Sequence, residues 1–264
     1  MYRGKSIRVE LLADGIAELC FDRDGESVNK FDCRTVDELA AATAAIRGAP
    51  GLRGVLVTSA KGVFIAGADI FEFAGIFAGS EAGVLAHITG QNAAFTGFDD
   101  LPVPSVAAVN GFALGGGLEM ALACDIVIAA EHAVFALSEP RVGVAALAGG
   151  VHRLARQIGL KQAMGMLLNG RKVSAAEAHE LGFVNEVVPA AELMATAQRW
   201  AAEIAACAPL AVRATKQLAM SGLDLPLREA MAASYPMVTA MLNSPDMVEG
   251  ARAFAERRAP NWQG

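Results

Sequence analysis

The run Gly111-Phe112-Ala113-Leu114-Gly115-Gly116-Gly117-Leu118-Glu119-Met120 sets three residues without side chains directly before an apolar, helix-prone segment carrying a carboxylate, Glu119. Glycine permits dihedrals and close backbone approaches that a Cβ forbids, and a helix beginning after Gly117 leaves amide N–H groups pointing outward. Such a corner can hold an anion, or an oxygen on which negative charge develops. The bland alternative is a tight turn that lets a helix lie close against a strand, and an isolated glycine triplet means no more than that. Two further pieces accompany this one. Val63-Phe64-Ile65-Ala66-Gly67-Ala68-Asp69-Ile70 leaves a β-prone run and enters another helix-prone segment, so it too can present bare amides. Phe135-Ala136-Leu137-Ser138-Glu139-Pro140 puts a second carboxylate beside a proline that restricts the backbone before it.

The surrounding elements read as α/β. Ser6 to Leu12 and Ile16 to Phe21 are β-prone runs joined by Ala13-Asp14-Gly15, whose Asp-Gly supplies turn chemistry for a hairpin. Thr35 to Ile46 has helical spacing of apolar residues and is closed by Gly48 and Pro50. Gly54 to Thr58, Ser105 to Val109 and Ile126 to Ala130 are short buried-type strands separated by helical segments, an alternation that favours crossover connections. Beyond about Pro189 the long segments become helical: Ala191 to Ala206, Pro209 to Met220, Leu225 to Leu242 and Pro245 to Arg257. Ser174-Ala175-Ala176-Glu177 has the spacing of a capping box, a folding signal only. There is no strict internal repeat and no low-complexity linker, so the helical tail is expected to dock rather than hang free.

With 264 residues, 54% hydrophobic and 19% charged, the chain can bury a substantial core and is unlike a disordered one. A net charge of -6 gives no general attraction to nucleic acid or anionic lipid. The apolar stretch from Ser105 to Ala130 is interrupted by Asn110, Glu119 and Asp125, which fits a membrane span badly, and the N-terminus lacks the apolar core of a secretory signal. A cytoplasmic protein is expected. Cys20, Cys33, Cys124 and Cys207 form no C-x-x-C pair and are expected as buried free thiols. His87, His132, His152 and His179 show no metal-ligand spacing, so no metal is expected. A nicotinamide-type dinucleotide site is disfavoured, because no G-x-G-x-x-G stands between an early strand and helix with an acid at the right distance.

Taken in order, Val28-Asn29, AGAD from Ala66 to Asp69, PSVAAVNGFALGGGLE from Pro104 to Glu119, CDIVIA from Cys124 to Ala129 and the C-terminal ERRAPNW resemble the enoyl-CoA hydratase, or crotonase, family along nearly the whole chain. The resemblance implies a crotonase-like α/β spiral of repeated ββα units over residues 1–190, carrying an acyl-CoA site. It also implies a C-terminal helical region, residues 191–264, that mediates homotrimers or dimers of trimers. By match to the family motifs, the backbone amides of Ala68 and Gly116 form an oxyanion hole, and Glu119 and Glu139 are the catalytic acids. Glu119 would hold and deprotonate water while Glu139 exchanges a proton at C2 of the enoyl thioester. Ala66, Asp69 and Ile70 fall in the loop that contacts adenine, and Arg23, Lys30 and Lys61 are candidate cations for the phosphates of coenzyme A, though a surface role suits them as well. Phe254 is expected to pack as core. The substrate implied is an acyl-CoA thioester, with no separate cofactor because coenzyme A is part of that substrate.

One departure stands out. Val144-Ala145-Ala146-Leu147-Ala148-Gly149-Gly150 keeps a final glycine pair but carries Ala146 and Leu147 where many hydratases have proline and glycine. A leucine there is expected to take volume from the acyl pocket. The reading is therefore enoyl-CoA hydratase first, with double-bond isomerase or another acyl-CoA reaction of the family as the alternative and a noncatalytic CoA-binding scaffold less favoured; possession of both glutamates favours the first.

Overall fold

The computed structural model describes residues 1–264. A short strand β1 (Tyr2–Arg3) and the hairpin of β2 (Ile7–Leu11) and β3 (Ile16–Phe21) open the chain and pair antiparallel. Helix α1 (Cys33–Arg47) then crosses to β4 (Gly54–Ser59), which lies parallel to β3. After β4 come α2 (Ile70–Phe77) and α3 (Glu81–Asp99), then β5 (Ser105–Val109), β6 (Phe112–Leu114) and α4 (Gly116–Leu122). The next pass supplies β7 (Ile126–Ala130), β8 (Val134–Ala136), α5 (Gly150–Ile158) and α6 (Leu160–Leu167). It is followed by β9 (Val173–Ser174), α7 (Ala175–Leu181) and β10 (Glu186–Val188).

The strands form a seven-stranded sheet, β1-β2-β3-β4-β5-β7-β10, and a three-stranded one, β6-β8-β9. Each pass of the chain contributes a strand to the large sheet, then an extended piece to the second layer, then a helix. β5, β6 and α4 make one pass and β7, β8 and α5 another. In the pass after β4 the second-layer piece is reduced to a single parallel bridge, Ile65 opposite Ala113. This is the expected spiral of ββα turns, and it stacks the loops that leave the second layer on top of one another.

The parallel strands are apolar on both faces because both are covered. Val55, Val57, Ala107, Val109, Val127 and Ala129 point into the main core, whereas Leu56, Val106, Ala108, Ile128 and Ala130 alternate to the other side. That second face is closed by α8 (Leu193–Ala205) through Leu193, Ala197, Ala201 and Ala205, four residues apart on one helix face. Thus the first helix beyond residue 190 packs directly on the sheet.

The remaining helices are α9 (Pro209–Gly222), α10 (Leu227–Ala232), α11 (Pro236–Leu242) and α12 (Asp246–Glu256). The single helix expected over Leu225 to Leu242 is therefore two. Pro236 has no N–H to donate and holds Tyr235 extended (φ -120, ψ 120), so the helix stops before it and a new one starts with Pro236 in its first turn. The capping box at Ser174 is half made: its hydroxyl accepts from the Glu177 N–H, but the Glu177 carboxylate turns to Arg171. Phe254 does not pack as core; in the single chain it is 88% exposed. Cys207 is likewise exposed, while Cys20 and Cys124 are buried free thiols and Cys33 is half-buried.

Candidate active site

The glycine triplet does three separate jobs. Gly115 has φ +52 and ψ -121 as the residue capping α4, a backbone state that disfavours any side chain. A Cβ on Gly116 would sit 2.9 Å from the Phe31 ring, and one on Gly117 would sit 2.3 Å from the Ile65 carbonyl oxygen. Helix α4 starts at Gly116, not after Gly117 as expected, so two of the glycines form its first turn. They let α4 lie against the chain that contains Ile65 through Asp69.

That neighbouring segment is pinned by a parallel bridge between Phe31 and Ala68, in which Phe31 donates to the Gly67 carbonyl and Asp69 donates to the Phe31 carbonyl. In an extended segment successive residues aim their amides to opposite sides. The Ala68 N–H therefore faces away from Phe31, and it donates to no group of the protein. The Gly116 N–H, at the head of α4, is likewise undonated, as a first-turn amide must be without an outside acceptor.

Ala68, Gly116, Glu119, Glu139 and Leu147 line one small cavity of about 50 Å³. Phe31, Phe73, Phe77, Ile88, Gln91, Val144 and Ala145 complete its wall. A larger opening of about 310 Å³ shares Ala68, Phe73, Phe77, Glu139 and Val144 with it and adds Ala66, Gly67, Ile70 and Gly115. The inner space is large enough for water, which needs a cavity of roughly 10–15 Å³, and the outer one adjoins it through their shared wall.

The two carboxylates reach this space because glycines stand behind them. A Cβ on Gly150 would fall 2.8 Å from Glu119 Cγ, and a Cβ on Gly115 would fall 2.9 Å from Glu139 Oε1. Glu119, on α4, is only 3% exposed; its Oε1 accepts the Gly150 N–H at 2.8 Å. Burial, helped by the nearby Glu139 charge and opposed by that N–H, pushes its carboxyl up to about 7. Glu139 heads the short 3-10 turn Glu139–Val142, and its Oε2 is buried without a partner. Burial raises its pKa above the ordinary carboxylate value too.

Of the expected coenzyme A contacts, Ala66 and Ile70 border the outer opening. Asp69 borders neither space: it caps α2 by accepting from the Phe71 and Glu72 amides and pairs with Lys30 at 2.9 Å. Lys30 in turn pairs with Glu26 at 2.8 Å. Arg23 corrects the expectation of a phosphate contact. It is buried, and its guanidinium donates to Glu26, Asp32 and the hydroxyls of Ser6 and Thr35, which commits it to the loop before α1. Lys61 pairs with Asp22.

Sequence reasoning missed the Gly150 amide as the partner of Glu119, and the wall supplied by α2 and α3. The kept glycine pair at Gly149-Gly150 held the first signal; the apolar residues of α2 and α3 held none. Size is not what singles out this site. A cavity of about 640 Å³ lies under α9, but its charged groups are already matched, Asp125 with Lys216 at 2.8 Å and Asp99 with Arg153 at 2.9 Å. Free amides and an unpartnered buried carboxylate occur together only at the smaller space.

The match to the enoyl-CoA hydratase/isomerase family model spans residues 12–264, and the chain belongs to that family. Its fold superposes on an enoyl-CoA hydratase of Bacillus anthracis with a TM-score of 0.90 at 33% identity, covering 98% of this chain and 99% of that one. An enoyl-CoA hydratase of Geobacillus kaustophilus HTA426 gives 0.92 at 33% identity, over 100% and 98%. Among curated relatives, the fatty acid oxidation complex subunit alpha of Psychrobacter sp. (strain PRwf-1) is 43% identical over 197 residues, which is 75% of this chain and 27% of the relative. The subunit of the same name from Pseudomonas paraeruginosa is 45% identical over 197 residues, 28% of its length. This chain thus spans little more than a quarter of those relatives. No helix is long and apolar enough to cross a membrane.

Proposed function

We propose that the protein is an enoyl-CoA hydratase, adding water reversibly across the 2,3 double bond of an enoyl-CoA thioester. The observation that carries this reading is a buried and a half-buried carboxylate, both with raised pKa values, in one small space beside two undonated amides. As Glu119 takes a proton from water, the water oxygen bonds to C3 and the π electrons move toward the thioester carbonyl. The Ala68 and Gly116 N–H groups hold the enolate oxygen that forms, and fixed donors of this kind contribute roughly 3 kcal/mol each to barrier lowering. Protonated Glu139 then delivers its proton to C2, giving 3-hydroxyacyl-CoA. The proton on Glu119 must pass back to Glu139 or solvent before the next cycle. Migration of a double bond moves one proton between two carbons and needs only one such acid, so two facing a water-sized space favour hydration.

The adenine and phosphates of coenzyme A would lie along the outer opening past Ala66 and Ile70. Assembly as a homotrimer or dimer of trimers is the companion proposal. It is supported by apolar side chains left bare on the C-terminal helices, Leu227, Met231 and Phe254 among them, and is checked by sedimentation equilibrium. The test of the reaction is loss of the conjugated-thioester absorbance of crotonyl-CoA. Turnover by the wild type, suppressed in Glu119→Gln and in Glu139→Gln with CoA-ester binding retained, is expected. Wild-type rates in either variant would remove that residue from the mechanism.

A further inference from the structure

One polar group in the inner space has no work in the chemistry above. Gln91, on α3, lines this cavity and is only 6% exposed, yet its terminal amide makes no hydrogen bond to the protein. Its neighbours in the wall, Ile88 one turn earlier and Phe73 and Phe77 of α2, are apolar. An alkyl chain pressed into that wall would strip solvent from the amide and leave two donors and an acceptor unmatched. Such a loss costs roughly 1–3 kcal/mol. A group with a hydrogen-bonding atom at the same place keeps the amide satisfied. No lysine or arginine lines either space, and two glutamates do, so an acyl group ending in a carboxylate is disfavoured by charge.

We infer that Gln91 is a specificity-determining residue that reads a neutral oxygen on the acyl group, so that the natural substrate is a short oxygen-bearing acyl thioester and not a plain alkyl one. This rests on the site binding acyl-CoA, but not on which reaction follows. Leu147 in the same wall limits length, while Gln91 selects polarity. Sites built around a buried hydrogen-bonding group discriminate far more steeply than apolar pockets that merely gain or lose a methylene.

The test uses saturated thioesters, which cannot be hydrated, in isosteric pairs: 4-oxopentanoyl-CoA against 4-methylpentanoyl-CoA, and 5-oxohexanoyl-CoA against 5-methylhexanoyl-CoA. Titration calorimetry on the whole protein gives the affinity of each. The expected result is at least about a tenfold preference for the oxo ester in one pair, abolished or reversed in Gln91→Leu, with affinity for acetyl-CoA unchanged. Gln91→Met serves if the leucine variant folds poorly. Equal affinities or a preference for the alkyl ester in both wild-type pairs, or a preference unchanged in the variant, would overturn the inference. Failure of every ester, acetyl-CoA included, to bind would remove the acyl-CoA reading itself and this inference with it. Binding without turnover of any enoyl ester would remove only the hydratase reaction.

Discussion

Two buried glutamates in this molecule live in opposite circumstances. Glu38, on α1, accepts three backbone N–H groups, from Lys5 at 2.9 Å, Ser6 at 2.8 Å and Ile7 at 2.9 Å, and so ties the first hairpin to the helix. A Cβ on Gly4 would fall 2.2 Å from its Oε2, so even the approach of the chain is shaped around the carboxylate. Glu119 receives one such N–H, and Glu139 leaves an oxygen with none. Burial alone therefore does not mark a reactive acid. The difference lies in how many donors the fold spends on the charge, and an acid left short of donors keeps its proton to higher pH and is ready to exchange it.

The sharpest test of that contrast substitutes the same isostere at each place. Glu119→Gln removes the exchangeable proton but keeps an oxygen for the Gly150 N–H, so turnover is expected to fall by about 10²–10⁴-fold with no fall in the melting temperature. Stopped assays of crotonyl-CoA hydration beside thermal melts read both. A large drop in stability with unchanged turnover of the folded fraction would place Glu119 with Glu38 as a structural acid.

The next effect is in pH. Glu119 in the folded chain titrates near 7 against an ordinary value of 4.5, so between those values the folded state binds more protons than the unfolded one. Stability from this group is highest below 4.5, falls as pH rises through the window, and is level above 7. The full difference is on the order of 3 kcal/mol. Urea unfolding of the wild type and Glu119→Gln at pH 5 and pH 8 isolates it, since other groups cancel in the difference. In the proposed reaction Glu119 must be ionised to accept a proton from water, so kcat/KM for hydration is expected to rise through the same window. A pH-independent stability difference would show that burial does not raise the Glu119 carboxyl.

Glu38→Gln should do the reverse at smaller scale. An amide NH₂ would replace one acceptor facing the Lys5 or the Ser6 and Ile7 donors, a loss of about 1–3 kcal/mol. Lower urea midpoints with normal turnover per folded molecule are expected, and loss of turnover in a normally stable variant would tie Glu38 to the site.

How much of this could be read before the fold was known follows the same physics. The β-strands Ser105 to Val109 and Ile126 to Ala130 were legible because both of their faces are buried, which writes itself as an apolar run. Glu119 and Glu139 were legible because the family motifs surround them. The helix break at Pro236 was written in the residue but outweighed by the apolar spacing around it. Other features hide in long-range contacts. Gly116 and Gly117 are small because Phe31 and Ile65 lie against them, and nothing near Gly117 in sequence reports Ile65. Arg23 looked like a free surface cation, yet Ser6, Asp32 and Thr35 close around it only when the hairpin meets α1. Gln91 sits in a helix whose one other cavity-lining residue, Ile88, is an ordinary core type, so only the cavity distinguishes it.

The smallest effect is at Leu147, and it bears on the inner wall as a whole. The side chain is 38% exposed and borders the space that holds both glutamates, so its removal opens volume without exposing a buried acid. Leu147→Gly is therefore expected to leave crotonyl-CoA hydration within a few-fold of wild type. Longer or branched enoyl esters should gain about tenfold in kcat/KM, the scale of one or two methylene groups in an apolar pocket. The gain should appear mainly where the extra carbons lie, at the fourth carbon and beyond, because in the proposed reaction C2 and C3 are held by the two amides and the two acids. If instead all esters lose equally, the leucine is holding the Val144 to Gly150 segment in place, and through Gly150 it is holding Glu119. That outcome would make the wall part of the acid's support and join the length filter to the catalytic machinery. An unchanged ester profile would show that the acyl chain leaves the space by another side, past Phe73 and Phe77.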